Sequence, residues 1–450
     1  MATSEMIEIP ENNPFQNDKL NRESIADNLE NIIDATNDSM VLSIDASWGN
    51  GKTTFIKMWK QKIDNEKKYK ALYFNAWEND DCEDPLLALI GEITDSLKSK
   101  EENSKIIDGI KQYGKPLLKK TIPTVLKIAT SGVIDIAGIG SSDQKKYLAD
   151  FAGHMGDFDT YGEQKESKEN FKKKLAEMQV DENKKIIFFI DELDRCRPTF
   201  AVEMLEKIKH LFSIDNFIFI LSLDRRQLSC SVRTLYGQEI DAIGYLRRFI
   251  DIEFMLPEPN RTEYTELLID KYKLKNKNSK YFEYYLKLVI DAYNLSLRDI
   301  EKLFHYLSLL MPCTIIFKPV EPNYKNIYLH ALGVIYSLLP VLKIKNPELY
   351  KKFLNREIIS KEEILKINIP ENDKYTKDCF NDIISKVLYL NNQLKKGIKH
   401  ISNNEAFLVG RKDDFISEEA FDLKYLLNDD HSEFNFVGQF EFVNKFILPE

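Results

Sequence analysis

The sequence predicts an α/β protein, a parallel β-sheet with helices on both faces, followed by a mostly helical C-terminal region. Five short segments have strand composition, at residues 40–45, 70–76, 185–190, 217–223 and 250–256. Most of them are continuously apolar, as strands buried on both faces are. Helical patterns separate these segments, and that rhythm favours parallel strands with crossover helices. Beyond the last segment the patterns are mostly helical, at residues 281–293, 297–310 and 326–342.

Four regions follow from these patterns. The chain of 450 residues is longer than one hydrophobic core usually supports. Residues 1–38 are predicted to form an N-terminal helical adaptor, because Ile25, Leu29, Ile32 and Ile33 recur at helical spacing. Residues 39–258 form the predicted core, interrupted by an insertion at 99–184, and residues 259–450 form the predicted C-terminal helical domain.

Composition limits the classes of function. The formal net charge of −9 argues against broad, sequence-blind binding to nucleic acid. The five scattered cysteines are typical of reduced thiols in a cytoplasmic protein. The polar, acidic N-terminus is unlike a secretory signal, and Lys119, Lys120, Lys127 and Asp135 interrupt the most membrane-like segment.

The stretch VLSIDASWGNGKTTF, residues 41–55, resembles a phosphate-binding loop. Such a loop follows a strand, turns at glycines so that backbone amides surround the phosphates, and places a lysine and a hydroxyl at a helix start. Gly49, Gly51, Lys52 and Thr53 supply these parts. Ala46 stands where the first glycine is expected, which costs little if its φ is negative and more if φ is positive. The pattern predicts a nucleotide site, with a solvated Gly-rich turn as the alternative.

Two acids end the third predicted strand. Asp191 and Glu192 follow an apolar run, where a carboxylate is costly without a cation or hydrogen-bond donors. We expect Asp191 to hold Mg²⁺ through its water shell and Glu192 to orient the attacking water; a solvated acidic turn is the alternative. Asp194 and Arg195 could instead simply pair with one another.

Three further positions are candidates for the same site. Asp224 ends the fourth predicted strand, beside the metal-bearing one, and is either a sensing residue or a surface acid. Arg247 and Arg248 could supply charge to a neighbouring subunit or form a basic helix surface. Arg298 begins a C-terminal helix and could touch nucleotide across the domain junction.

These motifs resemble those of the KAP P-loop NTPases. The resemblance rests on SWGNGKTTF, LYFNAWEND, FFIDELDRC, FILSLDRRQL, YLRRFIDIEFMLPEP and LSLRDIEKL, in that order, and covers roughly residues 41–303. It implies nucleotide contacts for Trp48, Gly49, Asn50, Gly51, Lys52, Thr53 and Thr54, and Mg²⁺ ligation by Thr53 and Asp191. It also implies a role in hydrolysis for Glu192, a position near the site for Arg298, and ATP and Mg²⁺ as cofactors. Lys52, Glu192, Asp224 and Arg298 are together the candidate catalytic residues. Trp77 belongs to the resemblance too, although it could be only a packing aromatic.

The insertion departs from many members of that family, which carry transmembrane helices there. Its first part, at residues 99–130, is Lys-rich with interleaved Ile and Leu. It could lie on an anionic membrane surface, be a solvated helix, or bind a partner.

Three functions compete at this point. The first is an ATP-driven switch or assembly ATPase, a homo-oligomer or a partner of other defence proteins, since bacterial relatives are often linked to phage defence. The second is a scaffold that binds nucleotide without hydrolysing it. The third, a nucleic-acid motor, is disfavoured by the acidic charge.

Overall fold

The computed structural model describes residues 8–98, 103–118, 161–180, 184–275, 280–310 and 325–355, together with the single residues 357 and 363. The chain divides into two compact units, one from Met6 to Glu258 and the other from Pro259 onward. In the first unit the described strands are β1 (Met40–Asp45), β2 (Lys70–Asn75), β3 (Ile186–Asp191), β4 (Phe217–Leu223) and β5 (Ile252–Met255). Its helices are α1 (Glu23–Ala35), α2 (Lys52–Glu66), α3 (Pro85–Leu97), α4 (Ser104–Gly114), α5 (Tyr161–Val180), α6 (Pro198–Leu211), α7 (Arg225–Tyr236) and α8 (Ala242–Leu246).

The five strands form one parallel sheet in the order β2-β3-β4-β1-β5. The predicted α/β class is therefore confirmed, and each predicted strand lies within two residues of an observed one. In the register, Asp191 of β3 lies beside Asn75 of β2 on one side and Ser222 of β4 on the other. This register brings the polar strand ends to one edge of the sheet.

Two hydrophobic cores lie on the two faces of the sheet. On one face, α1 and α2 pack against β1, β3 and β4, with Trp59 in edge contact with Phe189 at 5.3 Å between ring centroids. On the other face, α3 to α8 cover the sheet, and Phe219 packs against Phe188 and Phe212. Helices on both faces explain why β3 and β4 are buried along their whole length and apolar except for Asp191 and Ser222, since neither face of these strands meets water.

Helix α1 is tied to helix α2 by a buried acid. Glu30 accepts hydrogen bonds from the indole nitrogen of Trp59 at 3.0 Å and from the ammonium of Lys62 at 2.9 Å. Leu29 and Ile33 of α1 lie in the same core as the sheet. Residues 23–35 thus pack against the sheet as helix α1. That residues 1–38 act as an adaptor remains a prediction.

The insertion is described in part. Helices α4 and α5 pack against each other in the core, where Phe171 of α5 makes an edge contact with Phe212. The predicted basic segment at 99–130 is described only over residues 103–118. Most of the most membrane-like segment of the sequence, residues 117–140, lies outside the described residues. None of the described helices has the length and apolar character needed to cross a membrane.

The second unit is helical in its described part. Its helices are α9 (Arg261–Lys271), α10 (Lys280–Ala292), α11 (Leu297–Leu310), α12 (Lys325–Lys345) and α13 (Pro347–Leu354). The hydroxyl of Tyr264 on α9 donates to Glu301 on α11 at 2.6 Å. These helices agree with the three predicted from the sequence to within a few residues. The predicted region continues to residue 450, beyond the described residues.

Candidate functional site

The loop between β1 and α2 has the backbone of a phosphate-binding loop. Gly49 and Gly51 have φ of 82° and 78°, in the left-handed region that favours glycine. Among the described non-glycine residues, those with positive φ do not include Ala46. The alanine at this position therefore imposes no backbone strain, and its side chain packs against the core on the α2 face.

Lys52 closes this loop on itself. It is the first residue of α2, and its buried ammonium donates to the carbonyl oxygen of Ala46 and, at 3.4 Å, to that of Ser47. Burial lowers the pKa of Lys52, and the nearby carboxylates of Asp194, Asp224, Asp191 and Asp45 oppose that shift. The Lys52 ammonium is thus a cation on which the charges of four carboxylates act.

Asp191 ends β3 as a buried carboxylate with few protein donors. It is 1% exposed and accepts hydrogen bonds from the backbone N–H of Glu192 at 3.0 Å and the hydroxyl of Tyr73 at 3.2 Å. Burial and the charge of Asp191 raise the pKa of Tyr73, so this hydroxyl remains a donor. Asp191 alternates with Ile187 and Phe189, which lie in the core shared with α2, so it belongs to the face covered by α2.

Glu192 adopts the left-handed conformation, with φ of 60°. Its carboxylate pairs with the guanidinium of Arg195 at 2.8 Å, and that guanidinium lies 5.5 Å from the ring centroid of Trp77. A non-glycine residue at positive φ is strained, and such residues are frequent at functional sites. Trp77 is half exposed, so its stacking on Arg195 is a contact at the rim of the site rather than one in the core.

The sequence allowed an ion pair between Asp194 and Arg195, but the structure gives Asp194 a different partner. Its carboxylate accepts a hydrogen bond from the indole nitrogen of Trp48 in the phosphate loop. Burial raises the pKa of Asp194 above its ordinary range, although the Trp48 hydrogen bond and the charge of Lys52 oppose the shift. The turn after β3 and the phosphate loop are therefore in direct contact.

Asp224 follows β4 and caps α7. Its carboxylate accepts from the backbone N–H groups of Arg226 at 3.0 Å and Gln227 at 3.4 Å. It is buried, so the alternative of an exposed surface acid does not hold. Its charge acts on Lys52, which brings Asp224 into the neighbourhood of the loop.

The three predicted arginines are all exposed. Arg248 stacks on Tyr245, with 6.0 Å from guanidinium carbon to ring centroid, and Arg247 lies beside it just after α8. Arg298 lies on α11 in the second unit. Their roles towards nucleotide remain predictions.

Sequence reasoning missed two residues that contact the site. Tyr73 donates to Asp191, and nothing in the alternation of β2 distinguishes it from a packing aromatic. The guanidinium of Arg22 donates to the carbonyl oxygens of Asn50 and Gly51 in the phosphate loop. A signal for Arg22 was present in the sequence, because a cation at the start of a helix opposes the helix dipole.

The residues present fit a nucleotide with a divalent cation. Two buried side-chain atoms beside the loop and the strand ends, Asn50 Oδ1 and Ser222 Oγ, have no hydrogen-bond partner in the described part of the chain. The first amides of α2 offer an anion site, and Thr53 and Asp191 offer the hydroxyl and carboxylate oxygens that Mg²⁺ accepts. Within the described ranges, no three His, Cys, Asp or Glu side chains are grouped to hold a metal ion alone.

Two curated proteins resemble parts of this chain. The uncharacterized protein MJ0182 of Methanocaldococcus jannaschii is 31% identical over 179 residues, which are 34% of this chain and 89% of that protein. The phage T7 exclusion protein of Escherichia coli is 24% identical over 229 residues, which are 49% of this chain but only 30% of that protein.

Two solved structures resemble this chain with lower sequence identity than the two curated proteins. The ORC2 protein of Aeropyrum pernix, with ADPNP and ADP, is 13% identical with a TM-score of 0.35, covering 94% of this chain and 86% of its own. Cdc6p of Pyrobaculum aerophilum is 14% identical with the same TM-score, covering 87% and 88%. Overlaps this loose carry no argument about function.

A family model does match most of the chain. It is the model of the KAP family P-loop domain, and it covers residues 22–313. The match includes the phosphate loop, the acids after β3 and the start of the helical unit. The sheet order, the left-handed glycines and the acids around Lys52 agree with it. The chain therefore belongs to the KAP family of P-loop NTPases, a family of nucleotide-binding proteins.

Proposed function

We propose that this protein binds ATP with Mg²⁺ at the loop of residues 46–54 and hydrolyses it to drive a conformational switch. The observation that carries the proposal is the approach of two separate segments. The indole nitrogen of Trp48 in the loop donates a hydrogen bond to the carboxylate of Asp194. The charges of Asp191 and Asp194, more than 130 residues away in the chain, also interact with the ammonium of Lys52. A loop built for phosphate and acids suited to a cation thus meet at one edge of the sheet.

The roles follow from chemistry. The amides at the start of α2 and the ammonium of Lys52 neutralise phosphate oxygens. Thr53 and Asp191 would hold Mg²⁺, Asp191 through the water shell of the ion, and the bound ion would neutralise negative charge on the phosphates. Glu192 orients and deprotonates the attacking water, which requires its carboxylate to leave Arg195.

The surrounding acids favour magnesium-bound nucleotide over free nucleotide. Asp45, Asp191, Asp194 and Asp224 all act on Lys52, so an uncompensated triphosphate would meet net negative charge. Because the described residues contain no complete metal cluster, the ion would share its coordination with phosphate oxygens and water, as Mg²⁺ commonly does.

Calorimetry and phosphate release test this proposal. Lys52→Ala should weaken ATP affinity about 10- to 100-fold, because it removes a charge-assisted contact to phosphate. Lys60→Ala is the matched control, since Lys60 lies on the same helix and pairs with Asp64 at the surface. Glu192→Gln should retain binding and lower hydrolysis by about 100-fold or more. Binding without hydrolysis in the unaltered protein would favour the scaffold function, and absence of binding would end the proposal.

We further propose that the switch acts in defence against phage together with a partner that carries the effector chemistry. The support is the similarity to the phage T7 exclusion protein at 24% identity. A plaque assay in cells expressing the protein with its neighbouring genes tests it: the unaltered protein and Lys60→Ala should restrict phage, and Lys52→Ala should not. Equal restriction by Lys52→Ala would show that nucleotide binding does not drive defence.

A further inference from the structure

Arg22 joins the N-terminal helix to the phosphate loop. It lies just before α1, and its side chain is buried, with the residue 4% exposed. One guanidinium nitrogen, Nη1, donates to the carbonyl oxygen of Gly51 at 3.0 Å, and the other, Nη2, donates to that of Asn50 at 2.8 Å. A planar guanidinium thus bonds two successive peptide groups at the turn into α2.

Holding these two carbonyls fixes the direction of two amides. In a trans peptide the C=O of one residue and the N–H of the next point in opposite directions. The carbonyls of Asn50 and Gly51 point to Arg22, so the N–H groups of Gly51 and Lys52 point away from it, towards the open end of α2. The Gly51 carbonyl also accepts from Phe55 N–H at 3.1 Å, as the first turn of the helix requires.

The position of Arg22 is itself fixed from two sides. Its backbone N–H donates to the carboxylate of Asp18, which also accepts from Leu20 N–H at 2.9 Å. Farther along α1, Glu30 bonds to Trp59 and Lys62 of α2. Helices α1 and α2 are therefore linked at two places, at Arg22 just before α1 and at Glu30 within it.

The location of Arg22 is unfavourable for a cation unless other contacts compensate it. A cation at a helix N-terminus opposes the dipole, and a buried charge needs hydrogen-bond acceptors. Burial lowers the pKa of Arg22 to about 10, opposed by Asp18, so the side chain stays protonated at neutral pH. Two loop carbonyls compensate this buried cation.

We infer that Arg22 is a positioning residue of the nucleotide site, which holds the amides of Gly51 and Lys52 in the orientation that receives the phosphates. This inference rests on the proposed nucleotide binding. Glycines at 49 and 51 leave the loop free to adopt other peptide orientations, and the guanidinium restricts that freedom before the ligand arrives. Preorganisation of this kind improves affinity because less ordering remains to be done on binding.

The test compares Arg22→Lys with Glu30→Gln in the full-length protein. Lysine keeps the charge but lacks the planar fork that matches two carbonyls. Glu30→Gln loosens the attachment of α1 to α2 without touching the loop. Titration calorimetry with MgADP and MgATP, urea unfolding and steady-state ATP hydrolysis are measured on both variants and on the unaltered protein.

Arg22→Lys should raise the Kd for MgADP and MgATP by about tenfold or more, and the KM for ATP alike, with kcat within about threefold. That pattern means loss of binding common to ground and transition states. If Arg22 served only to stabilise the fold, Arg22→Lys would lower the fraction of protein that is folded and active, and the KM for ATP would be unchanged. Glu30→Gln should reduce stability while its Kd stays within about twofold of the unaltered protein.

The outcomes separate the two claims. No nucleotide binding by the unaltered protein overturns the proposed function and this inference with it. Normal binding by the unaltered protein and by Arg22→Lys overturns only the inference. Equal loss of affinity in Arg22→Lys and Glu30→Gln would make Arg22 a general stabiliser of α1, which also overturns it. If Arg22→Lys fails to fold, Arg22→Gln, which is shorter and carries no charge, replaces it under the same criteria.

Discussion

Ala46 illustrates how backbone conformation, and not residue type, decides whether a departure from a motif matters. A glycine is needed in a phosphate loop where φ is positive, and positive φ occurs at Gly49 and Gly51. Ala46 is not among the described residues with positive φ. What this position contributes is its carbonyl oxygen, which accepts from Lys52 and which any residue would supply.

Ala46→Gly should therefore change stability more than binding. Glycine gains freedom in the unfolded chain, so the free energy of unfolding should fall by about 0.4–1 kcal/mol. ATP affinity should stay within about twofold. Urea unfolding and calorimetry measure the two quantities, and a tenfold gain in affinity on restoring the motif glycine would mean that Ala46 does strain the loop.

Asp194 is a buried acid whose ionisation costs stability. Its pKa is raised by burial, so the folded state holds the proton to higher pH than the unfolded state does. Stability from this group is present below the ordinary carboxyl pKa and is lost as pH rises through the folded pKa. At neutral pH the hydrogen bond from Trp48 and the charge of Lys52 offset only part of the cost of burying the Asp194 carboxylate.

Asp194→Asn should raise the urea midpoint at neutral pH, because the amide oxygen can still accept from Trp48 while the buried charge is removed. The advantage should shrink as pH falls and vanish near pH 4, about the ordinary pKa of aspartate. Measuring midpoints of both proteins across this range checks it. A variant that is less stable at every pH would show that the charge pair with Lys52 outweighs the cost of burial.

At the scale of elements, α1 and α2 act as one layer on the sheet. The acid Glu30 is buried between them and satisfies both the indole of Trp59 and the ammonium of Lys62. Burial opposes protonation of Lys62, but hydrogen bonds to Asp27 and Glu30 raise its pKa, so the ion pair holds at neutral pH. The layer fixes the position of α2, the helix into which the phosphate loop leads.

Glu30→Ala should lower the free energy of unfolding by about 2–3 kcal/mol. It leaves the buried indole of Trp59 without its acceptor and removes the most buried of the three carboxylates that pair with Lys62. Asp27→Ala is the matched control: Asp27 pairs with the same Lys62 at 2.8 Å, but its side chain is 54% exposed, so the loss should stay below about 1 kcal/mol. Equal losses in the two variants would contradict this view of the α1–α2 layer.

The elements were predictable where the chemistry is local. Strands β3 and β4 are buried on both faces and almost wholly apolar, and the glycines and lysine of the loop lie within four residues of one another in the chain. The partners of Asp194 were not predictable, since they depend on packing between segments distant in sequence. For the same reason, the sequence could mark Arg22 as an unusual cation at a helix start but could not identify the loop as its contact. Trp48 and Asp194 are 146 residues apart, and no local pattern encodes which of several acids the indole will meet.

At the scale of the whole molecule, charge and architecture point to a nucleotide rather than a nucleic acid as the anionic ligand. The formal net charge is −9, which repels extended polyanions at long range. In the described part of the chain, Lys52 and the first amides of α2 offer attraction for an anion beside the acids that end β3 and follow β4. A compact phosphate group with its own divalent cation suits such a site, because the cation neutralises both the phosphates and the protein carboxylates.

The most direct measurement is an experimental structure of the protein with Mg²⁺ and a slowly hydrolysed ATP analogue. The account predicts phosphates within hydrogen-bonding distance of the amides of Gly49 to Thr53 and of the Lys52 ammonium. It also predicts one Mg²⁺ bound to the Thr53 hydroxyl and, through water, to Asp191. Nucleotide bound elsewhere on the chain, or bound at the loop with its metal remote from Asp191, would contradict the account.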